Sequence, residues 1–434
     1  MPQRSRQTRD NNAKRNGWKV ICVEGDAKTR GFMHGSILHA EFAKMLEVFP
    51  FALKRAHNVT LEEYIDLCND AAKKAFDEKC GEWREELEGM VEGALSKGVV
   101  VSVDFLFSWN MYLSIDQHFK KTRTSDRCCA FIATGDATKD GKIVMAHNTH
   151  CEFLFAQFYN IVQHTKPSRG CAFIMQTGPG LLCSNVDWFL CDSGIVGCET
   201  TIAGINYKPK FGKPYFCRIR ECMQYAKNLD DCERIMRDDN AGDYPCAWLL
   251  GDTKTNEIMM LEVAKTVQSR RTRSGVFYGA NFAHDASIRE NETSNDVDFN
   301  DKESSIRNRA ERLDWLLNKV HWGKLDAGSA KLVISDHYDV FKGRIRKGSR
   351  SICKHIELET ARTNRQARYP FGAIDGKVVT SDMAKKLTFW GRWGSSCGRV
   401  YNATKTMKRR IKHLPSFRNE PWVTLSAKNS TKKN

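Results

Sequence analysis

Residues 128–151 read CCAFIATGDATKDGKIVMAHNTHC, and this stretch decides how the chain folds. Two apolar runs flank a polar turn region, 135–141, which contains an Asp-Gly dipeptide typical of tight hairpin turns. The pattern predicts two antiparallel strands centred near residue 138. Residues that face each other across the strands then have numbers that sum to about 276, which places Cys128 opposite Asn148.

The predicted pairing brings a thiol close to two imidazoles. His147 and His150 lie on either side of Asn148 and therefore beside Cys128. A cysteine next to a proton acceptor and neutral hydrogen-bond donors suits nucleophilic catalysis. Two other interpretations stay open. One is a buried hairpin with satisfied core histidines. The other is a metal site of His147, His150 and Cys151, which lacks a fourth ligand at a standard spacing.

The chain before the hairpin is mainly helical. One short strand is predicted at residues 18–23. A helix begins at the capping-box sequence TLEE, 60–63, and runs to about residue 78; another covers 82–96; and a third follows Ser102 as its cap.

The chain after the hairpin consists of short β-rich runs separated by Gly, Asp, Lys and Pro. Helices are predicted at 215–227 and 231–237, a long amphipathic helix at 303–319, and a polar surface loop at 285–302. This order predicts an α+β layered core.

The composition limits the classes of protein to consider. The chain has 434 residues, of which 41% are hydrophobic and 28% charged, and a formal net charge of +16. It is too apolar to be disordered throughout, and it lacks the run of about 18 apolar residues that predicts a membrane-spanning helix. Residues 1–20 carry +5 and residues 401–434 carry +8. We therefore expect two solvated basic tails, with weak contact with polyanions or an anionic membrane as the alternative, and no specific nucleic-acid partner.

Cysteine usage indicates a compartment. None of the 16 cysteines forms a CxxC pair, which argues against a zinc ribbon or a thioredoxin-type site. The N-terminal residues lack the apolar region of a secretory signal. We therefore expect reduced, buried cysteines and a cytoplasmic protein.

Five segments, in order along the chain, match one family pattern. They are GFMHGSILHAE at 31–41, the hairpin sequence at 128–150, CDSGIVGCETTIAG at 191–204, YPFGAIDGKVV at 369–379 and FWGRWGSSCG at 389–398. Together they resemble the phospholipase B-like branch of the N-terminal nucleophile (Ntn) hydrolases, in the group that also contains the acyl-CoA:isopenicillin N acyltransferases.

The resemblance implies a four-layer αββα Ntn-hydrolase sandwich with an N-terminal helical pro-segment. The implied boundaries are a basic disordered tail at 1–17, the pro-segment at 18–127, the catalytic core at 128–425 and a basic tail at 426–434. It also implies that the chain cuts itself at the Arg127–Cys128 bond. The α-amine so freed has an ordinary pKa of about 7.7–8.0 and is the general base of the family.

The resemblance also implies a role for each site residue. Cys128 is the nucleophile, His147 and Asn148 orient the amine and the substrate carbonyl, Thr201 lines the site, and Asn281 donates to the oxyanion hole. An arginine near the start of the long helix completes the site, with Arg309 preferred over Arg307 and Arg312. Two positions depart from the family pattern, since Cys129 replaces Ser or Thr and His150 replaces Trp. No cofactor and no metal are required.

The implied reaction is hydrolysis of acyl ester or amide bonds, with phospholipids as one candidate substrate, through a thioester on Cys128. One alternative is an acyltransferase that passes the acyl group to an amine. Another is a basic binding protein that keeps the fold without catalysis.

Overall fold

A computed structural model describes residues 13–116, 119, 128–294, 301–359 and 370–427. The strands are β1 (Ala13–Arg15), β2 (Trp18–Gly25), β3 (Cys128–Gly135), β4 (Gly141–Glu152), β5 (Ile161–Pro167), β6 (Phe173–Thr177), β7 (Trp188–Cys191), β8 (Ile195–Thr201), β9 (Cys246–Asp252), β10 (Glu257–Val263), β11 (Val267–Thr272), β12 (Gly275–Gly279), β13 (Tyr338–Asp339), β14 (Arg344–Ile345), β15 (Phe371–Ala373), β16 (Asp375–Thr380), β17 (Thr388–Trp393) and β18 (Val423–Ser426).

The helices are α1 (Ala27–Ile37), α2 (His39–His57), α3 (Leu61–Cys68), α4 (Lys74–Lys79), α5 (Gly81–Leu95), α6 (Val103–Asn110), α7 (Tyr112–Asp116), α8 (Phe153–Ala156), α9 (Tyr215–Tyr225), α10 (Leu229–Arg237), α11 (Ala286–Asn291), α12 (Ser305–Trp315), α13 (Ala327–Val333), α14 (Ser381–Ala384) and α15 (Lys405–Arg410). Short π-helical turns, Asn69–Lys73 and Leu316–Val320, join α3 to α4 and extend α12. Across the described ranges, every helix is too short or too polar to cross a lipid bilayer.

The described strands form two large sheets. One has the order β1-β2-β5-β6-β7-β8-β9-β10-β11, and the other has the order β12-β3-β4-β16-β17-β18, with β15 also paired to β4. Strands β2 and β5 are parallel, whereas the other neighbouring pairs in these sheets are antiparallel. The two sheets pack face to face through β3 against β8 and β9.

Helices cover the outer face of each sheet. Helices α1, α9 and α10 pack on the nine-stranded sheet, and α12 and α13 pack on the sheet that contains β3 and β4. Alternate residues of β3 therefore serve two cores, because successive side chains of a strand point to opposite faces. Ala130 and Ile132 belong to the large core between the sheets, while Phe131 and Ala133 pack toward α12 and α13. The predicted α+β class and αββα layering are confirmed.

The hairpin at the centre of the second sheet differs from its predicted register by one residue. Near the turn Gly135 faces Gly141, as predicted, but a bulge between Ala133 and Gly135 shifts the pairing beyond it. Cys128 therefore faces Thr149, and not Asn148. Because side chains alternate, this shift moves Asn148 to the other face of the sheet.

The N-terminal segment is built into the larger sheet. Strand β2 pairs with β5 from Lys19 opposite Ile161 to Gly25 opposite Pro167. The predicted disordered tail at 1–17 is wrong for residues 13–15, which form β1. The turn residues Asn16 and Gly17, with φ of 46° and 84°, close a tight hairpin between β1 and β2.

Two further predicted boundaries differ from those in the structure. The predicted tail at 426–434 begins inside β18, which ends at Ser426. The predicted loop at 285–302 contains α11, because the Asp285 carboxylate accepts a hydrogen bond from the Ile288 N–H and caps that helix. The remainder of that loop, 295–300, lies outside the described residues. The capping box predicted at Thr60 and Glu63 is present.

A buried ion cluster joins the N-terminal helices to the core. The Glu86 carboxylate on α5 lies 2.8 Å from Arg30 Nη2 on α1 and 2.9 Å from Arg220 Nη2 on α9. All three side chains are about 1% exposed or less. Removing one partner of such a cluster leaves a buried charge uncompensated, so the cluster holds α1, α5 and α9 together.

Helices α1 and α5 touch backbone to backbone. A Cβ added at Gly31 or Gly35 of α1 would lie 2.0 Å from the carbonyl oxygen of Glu86 or Met90 on α5. In return, a Cβ at Gly89 would lie 2.2 Å from the carbonyl oxygen of Lys28. The glycines of the GFMHG segment are therefore required by this close approach.

We expect Gly35→Ala to lower the free energy of unfolding by about 3 kcal/mol or more, since a main-chain carbonyl cannot move aside for the methyl group. Gly81→Ala is the matched control. A Cβ there meets nothing within 4 Å, so the change in stability should stay within about 1 kcal/mol. Chemical denaturation of both variants measures the difference, and equal stabilities would contradict this packing.

Candidate active site

Hydrogen bonds hold both main-chain polar groups of Cys128, the first residue of β3. Its N–H donates to Asn281 Oδ1 at 3.3 Å, and its carbonyl oxygen accepts from Arg309 Nη1 at 2.9 Å. Arg309 Nη2 also donates to Asn281 Oδ1, at 3.1 Å. We call this arrangement of Cys128, Asn281 and Arg309 the main-chain clamp.

The local fold explains why the clamp forms. Asn281 follows β12, the neighbour of β3, and its φ of 73° turns the chain back toward β8. Gly279 allows this approach, because a Cβ there would lie 2.2 Å from Thr200 Oγ1. Asn281 Nδ2 then donates to the Thr201 carbonyl at 3.0 Å. Arg309 reaches the clamp from α12.

The Cys128 side chain points into the space between the two sheets. Its sulfur lies 3.9 Å from Asp187 Oδ2. Three ligand atoms, one each from Cys128, His147 and Asp187, lie within 4.8 Å of one another. These three side chains could therefore share a metal ion or a proton. Asp187 adopts a left-handed φ of 62° just before β7. The sequence analysis did not identify Asp187.

Burial controls the protonation of this group. Burial, then the negative charges of Asp187 and Glu199, raise the pKa of the Cys128 thiol well above its usual value. Burial, then the charge of Lys377, lower the pKa of His147 well below its usual value. Near pH 7 the sulfur therefore keeps its proton, and the neutral imidazole is too weak a base to remove it efficiently.

Thr201 lies in a chain of buried hydroxyl groups beside the clamp. Its hydroxyl lies 2.6 Å from the Tyr244 hydroxyl, which donates to Glu199 Oε1 at 2.9 Å. His147 Nε2 lies 3.0 Å from the Glu199 carbonyl oxygen. The structure adds Tyr244 and Glu199 as neighbours of Thr201, and the site role of Thr201 stays a prediction.

A buried lysine supports the loop that carries Asp187. Lys377 Nζ donates to Thr149 Oγ1 at 2.9 Å and to the Val186 carbonyl at 2.8 Å, and it lies 3.2 Å from Asp375 Oδ2. Asp375 Oδ1 in turn accepts from the Thr149 N–H at 2.8 Å. The segment YPFGAIDGKVV carries a signal that could have identified Asp375 and Lys377. Charged residues two apart on an apolar strand are rarely buried unless they are paired.

Asn148 does not face the Cys128 thiol, which corrects the role predicted for it. Its Oδ1 accepts from the Cys129 N–H at 3.2 Å, and its Nδ2 donates to the carbonyls of Ile334 and Ile352 at 2.8 and 3.1 Å. The one-residue shift of register explains this, because Asn148 belongs to the face that packs on α13. On that face Asn148 joins β4 to two loops.

The alternation of β4 also excludes the metal site of His147, His150 and Cys151. His147 and His150 project from opposite faces, and His150 Nε2 lies 3.0 Å from the Ile352 carbonyl oxygen. The neighbouring thiol, Cys129, lies on the same face as His150, where Arg309 Nη1 contacts its sulfur at 3.1 Å. The two adjacent sulfurs are therefore separated by the sheet.

The three arginines of the long helix are now distinguished. Arg309 is fully buried at the clamp, whereas Arg307 pairs with Glu311 and Arg312 pairs with Asp336.

Asn281, the predicted oxyanion donor, presents its oxygen and not its N–H groups to Cys128. Its oxyanion role therefore stays a prediction. The bond before Cys128 lies at the edge of the described residues, since Arg127 is outside them.

The chain was compared with protein families, curated proteins and solved structures. No family model matches the chain. An uncharacterized protein of Archaeoglobus fulgidus is 25% identical over 260 residues, which cover 56% of this chain, and the chain spans only 42% of that relative's length. Two structures of mutant conjugated bile acid hydrolase from Clostridium perfringens, each 7% identical, superpose with TM-scores of 0.36 and 0.31. They cover 61% and 62% of this chain, and 89% and 82% of their own.

The buried His150 gives a test of this geometry. Burial, then the charges of Lys354 and Arg309, lower its pKa well below 6.5. Below pH 6.5 the unfolded chain therefore binds a proton that the folded chain does not, and stability falls as the pH falls. Between pH 7 and pH 5, we expect the free energy of unfolding of the wild type to fall by about 2 kcal/mol more than that of His150→Gln. Urea unfolding at both pH values measures this, and an unchanged difference would place His150 in contact with solvent.

Proposed function

We propose that this chain is an Ntn-type acyl hydrolase in which Cys128, made N-terminal by cleavage of the bond before it, attacks an ester or amide carbonyl. The observation that carries the proposal is the main-chain clamp. It holds the nitrogen and the carbonyl of Cys128 while its sulfur faces Asp187 and His147. Any buried main-chain N–H needs a partner, but here that partner is a side chain, Asn281, which would remain in place for a freed α-amine.

The protonation of the site explains why that nitrogen is needed. The thiol is protonated near pH 7 and the adjacent imidazole is a weak base. An α-amine has an ordinary pKa of about 7.7–8.0, so a useful fraction is neutral and can accept the thiol proton. If the amine donates one hydrogen to Asn281 Oδ1, as the amide N–H does in the intact chain, its lone pair is left for the sulfur.

The reaction then proceeds in two acyl-transfer steps. The amine takes the thiol proton as the sulfur bonds to the substrate carbonyl carbon, and the ammonium returns a proton to the departing alcohol or amine. A thioester on Cys128 remains. Water, deprotonated by the same amine, attacks the thioester, releases the carboxylic acid and restores the thiol. Asn281 Nδ2 carries two N–H groups and donates one of them to the Thr201 carbonyl, so the second is the donor that would stabilise the oxyanion.

Cleavage must precede catalysis in this proposal. Cleavage frees the α-amine, and because Cys128 is only 1% exposed in the intact chain, turnover also requires a movement that opens a path to its sulfur. The N-terminal fragment stays bound after cleavage, because β2 is a strand of the larger sheet and Arg30 shares Glu86 with Arg220. The substrate class is a small acyl ester or amide, phospholipids included, and the basic tails favour an anionic surface.

Self-cleavage is the first test. Mass spectrometry of the expressed protein should find fragments of 127 and 307 residues that elute together in gel filtration. Cys128→Ala should remain intact. Cys129→Ala should still be cut, because its sulfur lies on the other face of the sheet. A wild-type chain that stays intact would favour the basic binding protein instead.

Turnover is the second test, with p-nitrophenyl acyl esters, an N-acyl amide and a phospholipid as substrates. We expect Arg309→Lys to lower kcat/KM on the order of 100-fold, since lysine lacks the planar fork whose two nitrogens reach the two acceptors of the clamp. Arg307→Lys, on the solvent side of the same helix, should match the wild type. The carboxylic acid should remain the main product when amines are added to the reaction. A predominant N-acyl product would identify an acyltransferase.

A further inference from the structure

A second cluster of ligand side chains lies on the outer side of the sheet, away from the main-chain clamp. Its members are His337 before β13, Cys353 and His355 in the loop after β14, and Cys397 after β17. Each offers one ligand atom, and the four atoms lie within 4.8 Å of one another. Two of the side chains are buried and two are half-buried.

The distances within this Cys/His cluster match those around a tetrahedral ion. His355 Nε2 lies 3.4 Å from Cys353 Sγ and 3.3 Å from Cys397 Sγ. Bonds of about 2.3 Å to sulfur and 2.0–2.1 Å to nitrogen, at tetrahedral angles, place these atoms about 3.5 Å apart. The His337 and His355 rings stack at 5.3 Å, and buried His337 Nε2 has no hydrogen-bond partner among the described residues.

A carboxylate orients the central imidazole. His355 Nδ1 lies 2.8 Å from Glu357 Oε1, which can only accept, so Nδ1 carries a hydrogen and, in the neutral imidazole that binds a metal, Nε2 has its lone pair for an ion between the two sulfurs. This carboxylate–histidine pairing is the usual support of a histidine that binds zinc. The two cysteines are not joined in a disulfide.

We propose that His337, Cys353, His355 and Cys397 bind one structural zinc ion. Two thiolates, two neutral imidazoles and Zn²⁺ form a neutral, closed Cys₂His₂ site, and the two thiol protons leave to solvent on binding. Four protein ligands leave no open position, so the ion stabilises the fold and takes no part in acyl transfer.

The position of the Cys/His cluster indicates what the ion stabilises. Cys353 follows Ile352, whose carbonyl accepts from Asn148 Nδ2 and lies 3.0 Å from His150 Nε2. Cys397 follows Ser396, which donates to the Ile334 carbonyl at 2.7 Å. The ion therefore joins three loops that pack under β4, directly behind the strand pair that holds Cys128.

The test is metal analysis of the full chain, expressed with zinc and purified without chelators. We expect about one zinc per chain in the wild type and well below half in Cys397→Ser and in His337→Asn. Cys171→Ser, a half-buried cysteine outside the cluster, and Cys128→Ala should both keep the ion. Cobalt(II) exchanged into the wild type should give the intense absorption of a tetrahedral thiolate complex, so the test does not depend on the variants folding.

Each contrary result overturns the proposal. A wild-type chain that stays below about one tenth of an equivalent after zinc addition has no such site. Zinc retained by Cys397→Ser, or lost in Cys128→Ala, would place the ion elsewhere. A disulfide between Cys353 and Cys397, found by peptide mapping without reduction, would identify a redox pair instead. Because metal content does not depend on turnover, these results are independent of the proposed hydrolase activity.

Discussion

The pairing of β3 with β4 is the constraint on which the rest of the site depends. A single bulge between Ala133 and Gly135 shifts the register, so that Cys128 faces Thr149. The alternation of side chains then sends the Cys128 sulfur between the sheets and the Cys129 sulfur toward α12. The extra residue lies on β4, so without the bulge Asn148, and not Thr149, would share the face of the Cys128 sulfur.

The site combines buried charge with a strained backbone. Arg309, Lys377, Asp375 and Glu199 are all essentially inaccessible to solvent, and Asp187 and Asn281 adopt left-handed conformations. Burying charged groups costs free energy unless each is matched, and such positions concentrate where function requires them. The same framework raises the pKa of the thiol, and in the proposed mechanism the freed nitrogen of Cys128 supplies the base.

Much of the fold could be predicted from the sequence, because periodic apolar patterns and caps are local signals. The helix capped at Thr60 and the hairpin itself are examples, whereas the site role of Arg309 stays a prediction although its guanidinium lies beside Cys128. The predicted pairing of Asn148 with Cys128 was wrong because a bulge leaves no clear mark in composition. Asp187 and the Cys/His cluster were not found because their members come from loops whose proximity only tertiary packing creates, with His337 and Cys397 far apart in the chain.

The most direct measurement locates the acyl group on the enzyme during turnover. The mature protein is mixed with a p-nitrophenyl acyl ester, quenched in acid, and the 307-residue fragment is analysed by peptide mass spectrometry. The account predicts an acyl group on the sulfur of an N-terminal Cys128, removed by neutral hydroxylamine as a thioester is. Acylation of another residue, or of Cys128 while it is still joined to the preceding chain, would contradict it.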